Sequence, residues 1–113
     1  MKLVIGIIQP DMLNMVREEL IKADITRITV SRCSGRGRAK DIYLYRGKEV
    51  APDLLPKMRL DIACNDEFVD TAVQAIIRGA KHGNGKAGDG KIFVVPLEQV
   101  YRIHTDETGS KAI

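Results

Sequence analysis

The chain has 113 residues, 44% hydrophobic and 29% charged, and its 18 Lys and Arg against 15 Asp and Glu leave a net charge of +3. This is the make-up of one ordinary globular domain, 1–113, and it excludes a disordered chain. No run of about 18 apolar residues exists to cross a membrane as a helix.

Residues 2–9, KLVIGIIQ, form an apolar run stopped by Pro10 and read as a buried strand rather than a cleaved leader. Asp11 is placed to cap a helix reaching about Ala23, with Met12, Val16, Leu20 and Ala23 on one stripe. Residues 25–34 alternate, Ile28 and Val30 against Thr29 and Ser31, as a second strand does. Residues 36–54 are polar and basic, without apolar periodicity, and are expected to be a long functional loop with no structure of its own.

Residues 57–64, KMRLDIAC, alternate again with Met58, Leu60 and Ile62 on one face. Asn65 or Asp66 is expected to cap a second helix through about Ala80, with Phe68, Val69, Ala72, Val73 and Ile76 inward. A glycine-rich loop covers 81–90, a short strand 91–95 stops at Pro96, and residues 97–104 extend or return along the sheet. Two βαβ halves in this order predict a ferredoxin-like α+β fold, βαββαβ, with two helices on one face of a four-stranded antiparallel sheet. A domain of this length buries roughly two thirds of its unfolded surface, so a sizeable ligand is expected in a surface cleft or between subunits. Cys33 and Cys64 lack metal-ligand spacing and are expected to be free thiols in a reducing compartment.

The sharpest local signal is HGNGKAGDGKIFVV, residues 82–95. Gly83, Gly85, Gly88 and Gly90 permit positive φ and present successive N–H groups, an anion nest that Lys86 and Lys91 would reinforce. It is not a Walker loop, because no Gly-Lys-Ser/Thr follows and no helix opens after it. The alternative is a helix cap and wide turn before a strand. GRGRAK, starting at Gly35, adds a basic set suited to phosphate, as do Arg102 and His104. His82 and His104 have no Asp or Cys partner at a catalytic spacing, so no nucleophile–base pair and no metal site is expected. Five aromatics and no basic stripe argue against nucleic acid.

These residues carry a resemblance to the PII signal-transduction proteins. GKAGDGKIFVVPLEQVYRIHT resembles their nucleotide loop and C-terminal strand, with GDGKIF its most specific part. MKLVIGIIQPDMLNMVREEL is similar to their first strand and helix, YRGKEVAPDLLPK to the later part of their T-loop, and DTAVQAIIRGA to their second helix. The match runs in order along essentially the whole chain, with the T-loop at 36–54, the B-loop at 81–90 and a C-terminal segment at 97–113.

The resemblance implies a cytoplasmic homotrimer that binds ATP, ADP or AMP in clefts between subunits. Gly88, Asp89, Gly90 and Lys91 would hold the phosphates, with Gly37 and Arg38 at the base of the T-loop and Arg102, joined by His104, from the neighbouring subunit. Arg27, Ile28 and Thr29 would line the base side, with Ala63 nearby. Lys57 and Lys40 would face a second effector. The T-loop would carry the signal to a protein partner, a membrane transporter or a metabolic enzyme. A slow nucleotide hydrolase at the same phosphate site is the alternative, with Asp89 or Asp61 as its only candidate base.

The departures from the family pattern are specific. The glutamine that holds magnesium and organises 2-oxoglutarate falls on Ala39, whose methyl cannot coordinate a hard cation. The lysine ending the first strand is Gln9, the uridylylated tyrosine falls on Val50, and the B-loop threonine is Asn84. His104 stands in place of the second C-terminal arginine, and two extra residues lie within 81–84. The expectation is a divergent member that keeps nucleotide binding and loses the 2-oxoglutarate response.

Overall fold

The computed structural model describes residues 1–37, 43–50 and 53–113, and for 43–45 and 49–50 the backbone alone. KLVIGII forms β1 (Lys2–Ile8), since residues branched at Cβ fit a pleated surface. Pro10 cannot donate a further ladder bond and opens a 3-10 turn, Pro10–Met12, that leads into α1 (Leu13–Lys22). The expected Asp11 cap does not form, and its carboxylate turns to His82 instead.

α1 closes on a Schellman motif. Asp24 takes φ +60°, its N–H bonds the Ile21 carbonyl at 3.0 Å, and the Ile25 N–H bonds the Leu20 carbonyl at 2.8 Å. That cap absorbs the residues read as the start of a strand, and β2 covers only Thr29–Gly35. β5 (Leu55–Cys64), α2 (Val69–Ala80) and β6 (Gly90–Pro96) follow the expected order with longer strands. Neither Asn65 nor Asp66 caps α2: Asn65 donates to the Ser110 carbonyl at 3.3 Å, and Asp66 accepts from the Met1 amino group at 2.8 Å.

The sheet order is β2-β5-β1-β6, antiparallel throughout. Val4 and Ile8 of β1 and Leu60, Ile62 and Cys64 of β5 face Val16 and Leu20 of α1 and Ala72, Ala75, Ile76 and Ala80 of α2. This is the ferredoxin-like α+β arrangement, with both helices on one face. Phe68, expected inward, is half exposed, and Leu13 rather than Met12 joins the core. Cys33 and Cys64 are free thiols, and burial pushes the Cys64 thiol up from its ordinary range.

Two other expectations are corrected. The long loop carries a hairpin of its own, β3 (Tyr43–Tyr45) with β4 (Lys48–Val50), turning at Arg46 and Gly47 with φ +51° and +78°. Positive φ at both central residues is the two-residue turn whose twist matches flanking strands. Residues 97–104 do not return along the sheet. They form a loop closed by a Tyr101–Thr108 bridge and an Arg102 N–H to Glu107 carbonyl bond of 2.9 Å.

The opposite face of the sheet is apolar along β1 and β6, while Arg59, Asp61, Thr29 and Ser31 occupy its β5 and β2 side. The register sets Ile5 beside Phe93 and Leu3 beside Val95, and those two β6 residues are 49% and 42% exposed. Tyr101 and Ile103 stand exposed on the following loop. Among the described residues no helix covers this face.

Two glycines permit close approaches. A Cβ on Gly90, which has φ +126°, would collide with the Ile7 carbonyl, so only glycine brings β6 flush against β1. A Cβ on Gly79 would lie 2.5 Å from the Val16 Cα, where the two helices cross. Gly79→Ala is therefore expected to push the helices apart and destabilise the fold by about 1–3 kcal/mol, read as a lower urea midpoint at unchanged slope.

Candidate functional site

α2 ends at Ala80 because Lys81 leaves the helix with φ −70° and ψ 133°. Two turns follow, closed by Gly85 N–H to the His82 carbonyl and Asp89 N–H to the Lys86 carbonyl, each 3.1 Å. All four glycines of the loop take positive φ, 61° at Gly83, 115° at Gly85, 98° at Gly88 and 126° at Gly90.

Asp89 organises this loop. Its Oδ2 accepts from the Lys86 N–H at 2.7 Å and the His82 N–H at 3.3 Å, and its Oδ1 meets His82 Nδ1 at 2.6 Å. Partial burial works to raise the Asp89 pKa. The Lys86 amide and then the His82 ring and amide outweigh it, holding the carboxyl below its usual range. The carboxylate thus points into the loop, and the groups left for an anion are the backbone and the exposed Lys86 and Lys91 side chains.

Three residues outside or at the head of the loop fix its position. Gln9, just past β1, donates from Nε2 to the Gly88 carbonyl at 2.7 Å. His82 Nε2 meets Asp11 Oδ2 at 3.0 Å. Hydrogen bonding first to Asp11 and then to Asp89 raises the His82 pKa above its ordinary value. The absence of an acidic partner expected for His82 is thus corrected, since it lies between two carboxylates. Gln9, Pro10, Asp11, His82, Lys86, Ala87, Gly88 and Asp89 line a cavity of about 390 Å³. None of these is a Ser, Thr or Cys nucleophile. Sequence reading missed this arrangement because the Gln9–Gly88 and Asp11–His82 contacts join residues more than 70 apart. The one available signal was the extra length within 81–84, where His82 sits.

The other predicted residues form a second group. Arg27 Nη1 and Arg102 Nη2 both donate to the Ile113 main-chain oxygen, at 3.1 and 3.0 Å. Two guanidinium groups on one oxygen are geometry that a phosphate also satisfies. Ile28 packs against the core, Thr29 opens β2, Ala63 is exposed opposite Leu3, and His104 is exposed. Arg38, Ala39 and Lys40 lie outside the described residues. Gly37 follows the end of β2, and Arg36 pairs with Asp53 at 3.8 Å beside it. Lys57 stands opposite Cys33, half-buried, with its Cγ 3.7 Å from where a Cβ on Gly35 would lie.

Register decides which of these share an end of the sheet. The end of β1 with Ile8, the start of β6 with Gly90, the start of β5 with Lys57 and the end of β2 with Gly35 all fall together. Ala63 is level with Leu3, five residues back along β1, which is roughly 17 Å at the strand rise. Arg27 precedes β2 on that far side. Among the described residues no hydrogen bond or ion pair joins the two groups, and no group of three or more His, Cys, Asp or Glu is placed to hold a metal.

Comparison with known proteins agrees with the fold and with the order of these segments. The family model for nitrogen regulatory protein P-II matches residues 1–107. The chain is 48% identical to nitrogen regulatory protein GlnK1 of Methanosarcina mazei, over all of this chain and 97% of that one. It is 46% identical, over the full length of both, to nitrogen regulatory protein P-II of Rhizobium etli and to nitrogen regulatory protein P-II 1 of Escherichia coli K12. The ferredoxin-like sheet, the GDGKIF loop against its central strand and an identity near one half over whole chains place this protein in the nitrogen regulatory protein P-II family, a family of signal-transduction regulators.

Proposed function

We propose that this chain is an adenine-nucleotide sensor, taking ATP, ADP or AMP in clefts between the subunits of a homotrimer and signalling to a protein partner through residues 36–54. The observation that carries this reading is the separation of the two groups. The glycine loop with Lys91 and the Arg27–Arg102 pair lie at opposite ends of one sheet, too far apart for one phosphate group. Two chains packed side by side would supply one group each, and the bare apolar strip with Phe93 and Val95 is the surface such packing would bury.

In this reading the phosphates lie on the backbone of residues 88–91, with Lys91 from one subunit and Arg102 and His104 from the next. Arg27, Ile28, Thr29 and Ala63 border the base. Gly37 and Arg38 tie the phosphates to the base of the 36–54 segment, so nucleotides of different phosphate number bias that segment between conformations that fit or miss the partner. Exposed Arg46 and Lys48 give that segment a basic tip, which acts on encounter rate and register more than on affinity. The partner is a transporter or a metabolic enzyme of complementary charge. The chain works in the cytoplasm and reaches a membrane only through such a partner; no described helix is long and apolar enough to cross one.

Slow hydrolysis at the same site is less favoured. Asp61 is held by Arg59, with the guanidinium Nε and Nη2 each 3.0 Å from a carboxylate oxygen, and Asp89 is engaged within its loop. Neither is free to take a proton from water.

Lys91→Ala removes a charge-assisted contact worth roughly 1.5–3 kcal/mol, so ADP affinity measured by calorimetry should fall tenfold or more; unchanged affinity would sink the site assignment. Light scattering at micromolar concentration should give about 37 kDa, three times the 12.5 kDa chain, and a monomer would refute the intersubunit cleft. With Ala39 offering magnesium no oxygen and Gln9 no charge, millimolar 2-oxoglutarate with Mg²⁺ should leave ATP affinity within about tenfold. A larger gain would mean coupling above roughly 1.4 kcal/mol and a working 2-oxoglutarate response.

A further inference from the structure

Both ring nitrogens of His82 face carboxylate oxygens, Nδ1 on Asp89 at 2.6 Å and Nε2 on Asp11 at 3.0 Å. Ionised carboxylates only accept, and a neutral imidazole has one N–H, so the arrangement is satisfied only by the imidazolium with a proton on each nitrogen. Of the two carboxylates, Asp89 is the enclosed one, its side chain 16% exposed against 68% for Asp11. Among the described residues, the other charged group lining this cavity is Lys86. Arg78, in the last turn of α2, is turned away to Glu19 at 3.2 Å.

We propose that Asp11, His82 and Asp89 form a proton-operated latch that ties the 81–90 loop to the turn after β1 and tightens nucleotide binding while His82 is protonated. The second half of this statement rests on the nucleotide reading above. When the ring loses a proton, the tautomer protonated at Nδ1 keeps the shorter, more enclosed bond to Asp89. Nε2 then presents a lone pair to Asp11, which swings into water. The loop keeps its internal hydrogen bonds and the Gln9–Gly88 tether but loses its second tie to the sheet, and the cavity between them opens.

The direction with pH follows from the two shifts. The His82 pKa is raised from 6.5, so the latch is fully present below about 6.5 and is lost as pH rises through the raised value. The Asp89 pKa is lowered from 3.8, so its contribution holds above that and fails only as pH falls through the lowered value. The latch is closed between those limits.

The test has two parts. Ring NMR on nucleotide-free protein should show His82 titrating above 6.5 and moving down in Asp11→Asn, with the Lys86 amide, bonded inside the loop to Asp89, staying protected across the same titration. Calorimetry with ADP at pH 6 and pH 8.5 should show wild-type affinity falling at least threefold more than that of His82→Gln, whose amide does not titrate. The shared change in ADP's own phosphate charge cancels between the two proteins. A His82 titrating at or below 6.5, or one unmoved by Asp11→Asn, would overturn the latch. Identical pH profiles for wild type and His82→Gln would overturn its coupling to nucleotide. ADP that bound neither protein at either pH would overturn the nucleotide reading and the coupling with it, while the ring titration decides the latch alone.

Discussion

The pairing of β1 with β5 on one side and β6 on the other is the constraint on which the rest depends. Both ladders run the whole length of β1, from Lys2 to Ile8. A slip of one residue would bring Leu3, Ile5 and Ile7 under the helices and set a long side chain where Gly6 leaves room for Ile76 and Leu60, so packing against the core locks the register. The locked register sets Gly90 beside Ile8, and the missing Cβ of Gly90 lets the two strands meet there. The glycine loop therefore begins its return to the sheet at a fixed point, directly beside the end of β1. Hydrophobic packing at the centre thus sets the position of a polar loop at the end.

Within that loop a partly buried anion does the organising. A carboxylate in the middle of a loop proposed to receive phosphate looks unfavourable, yet the Asp89 oxygens already have three donors among His82 and Lys86. Such a carboxylate is largely neutralised locally, and its remaining field at a phosphate beyond the glycines is weak beside that of Lys86 and Lys91. Its role is geometric: it draws the two ends of the loop together so that Gly85 and Gly88 hold their positive φ. Gln9 completes the fixture with an uncharged bond to the Gly88 carbonyl.

The fold was legible in the sequence because its elements are written in short-range periodicity. Alternation in KMRLDIAC and the stripe through Val16 and Leu20 each record which side of one element is buried, and the core contains those residues. What periodicity does not record is contact between distant segments. Asp11 carries the signature of a helix cap because Asp before a helix usually is one, and the competing partner, His82, lies 71 residues away. The hairpin in the long loop was missed because three-residue strands carry too little alternation to detect. Its Arg-Gly turn is also a weaker signal than Asn-Gly. The alternation over 25–34 overstates the strand because a left-handed Asp24 at a helix end leaves no composition signature. The candidate site was legible where glycines and cations cluster in sequence, and illegible where Gln9, Asp11 and His82 fix the loop from afar.

The charges at the end of β1 and in the glycine loop act on one another. An anion approaching the cavity beside the glycine loop meets Asp11 and Asp89 along with Lys86, and the residue closing β1 is neutral. Lys57 lies at the same end of the sheet, opposite Cys33 and outside the lining of that cavity. The same carboxylates are what make a protonated His82 favourable. Two carboxylates around one imidazole thus favour a proton there, and a proton is a ligand whose occupancy changes near neutral pH. On the proposed latch, the glycine loop is tied to the end of β1 by the neutral Gln9 bond and by a charge on His82 whose presence depends on pH.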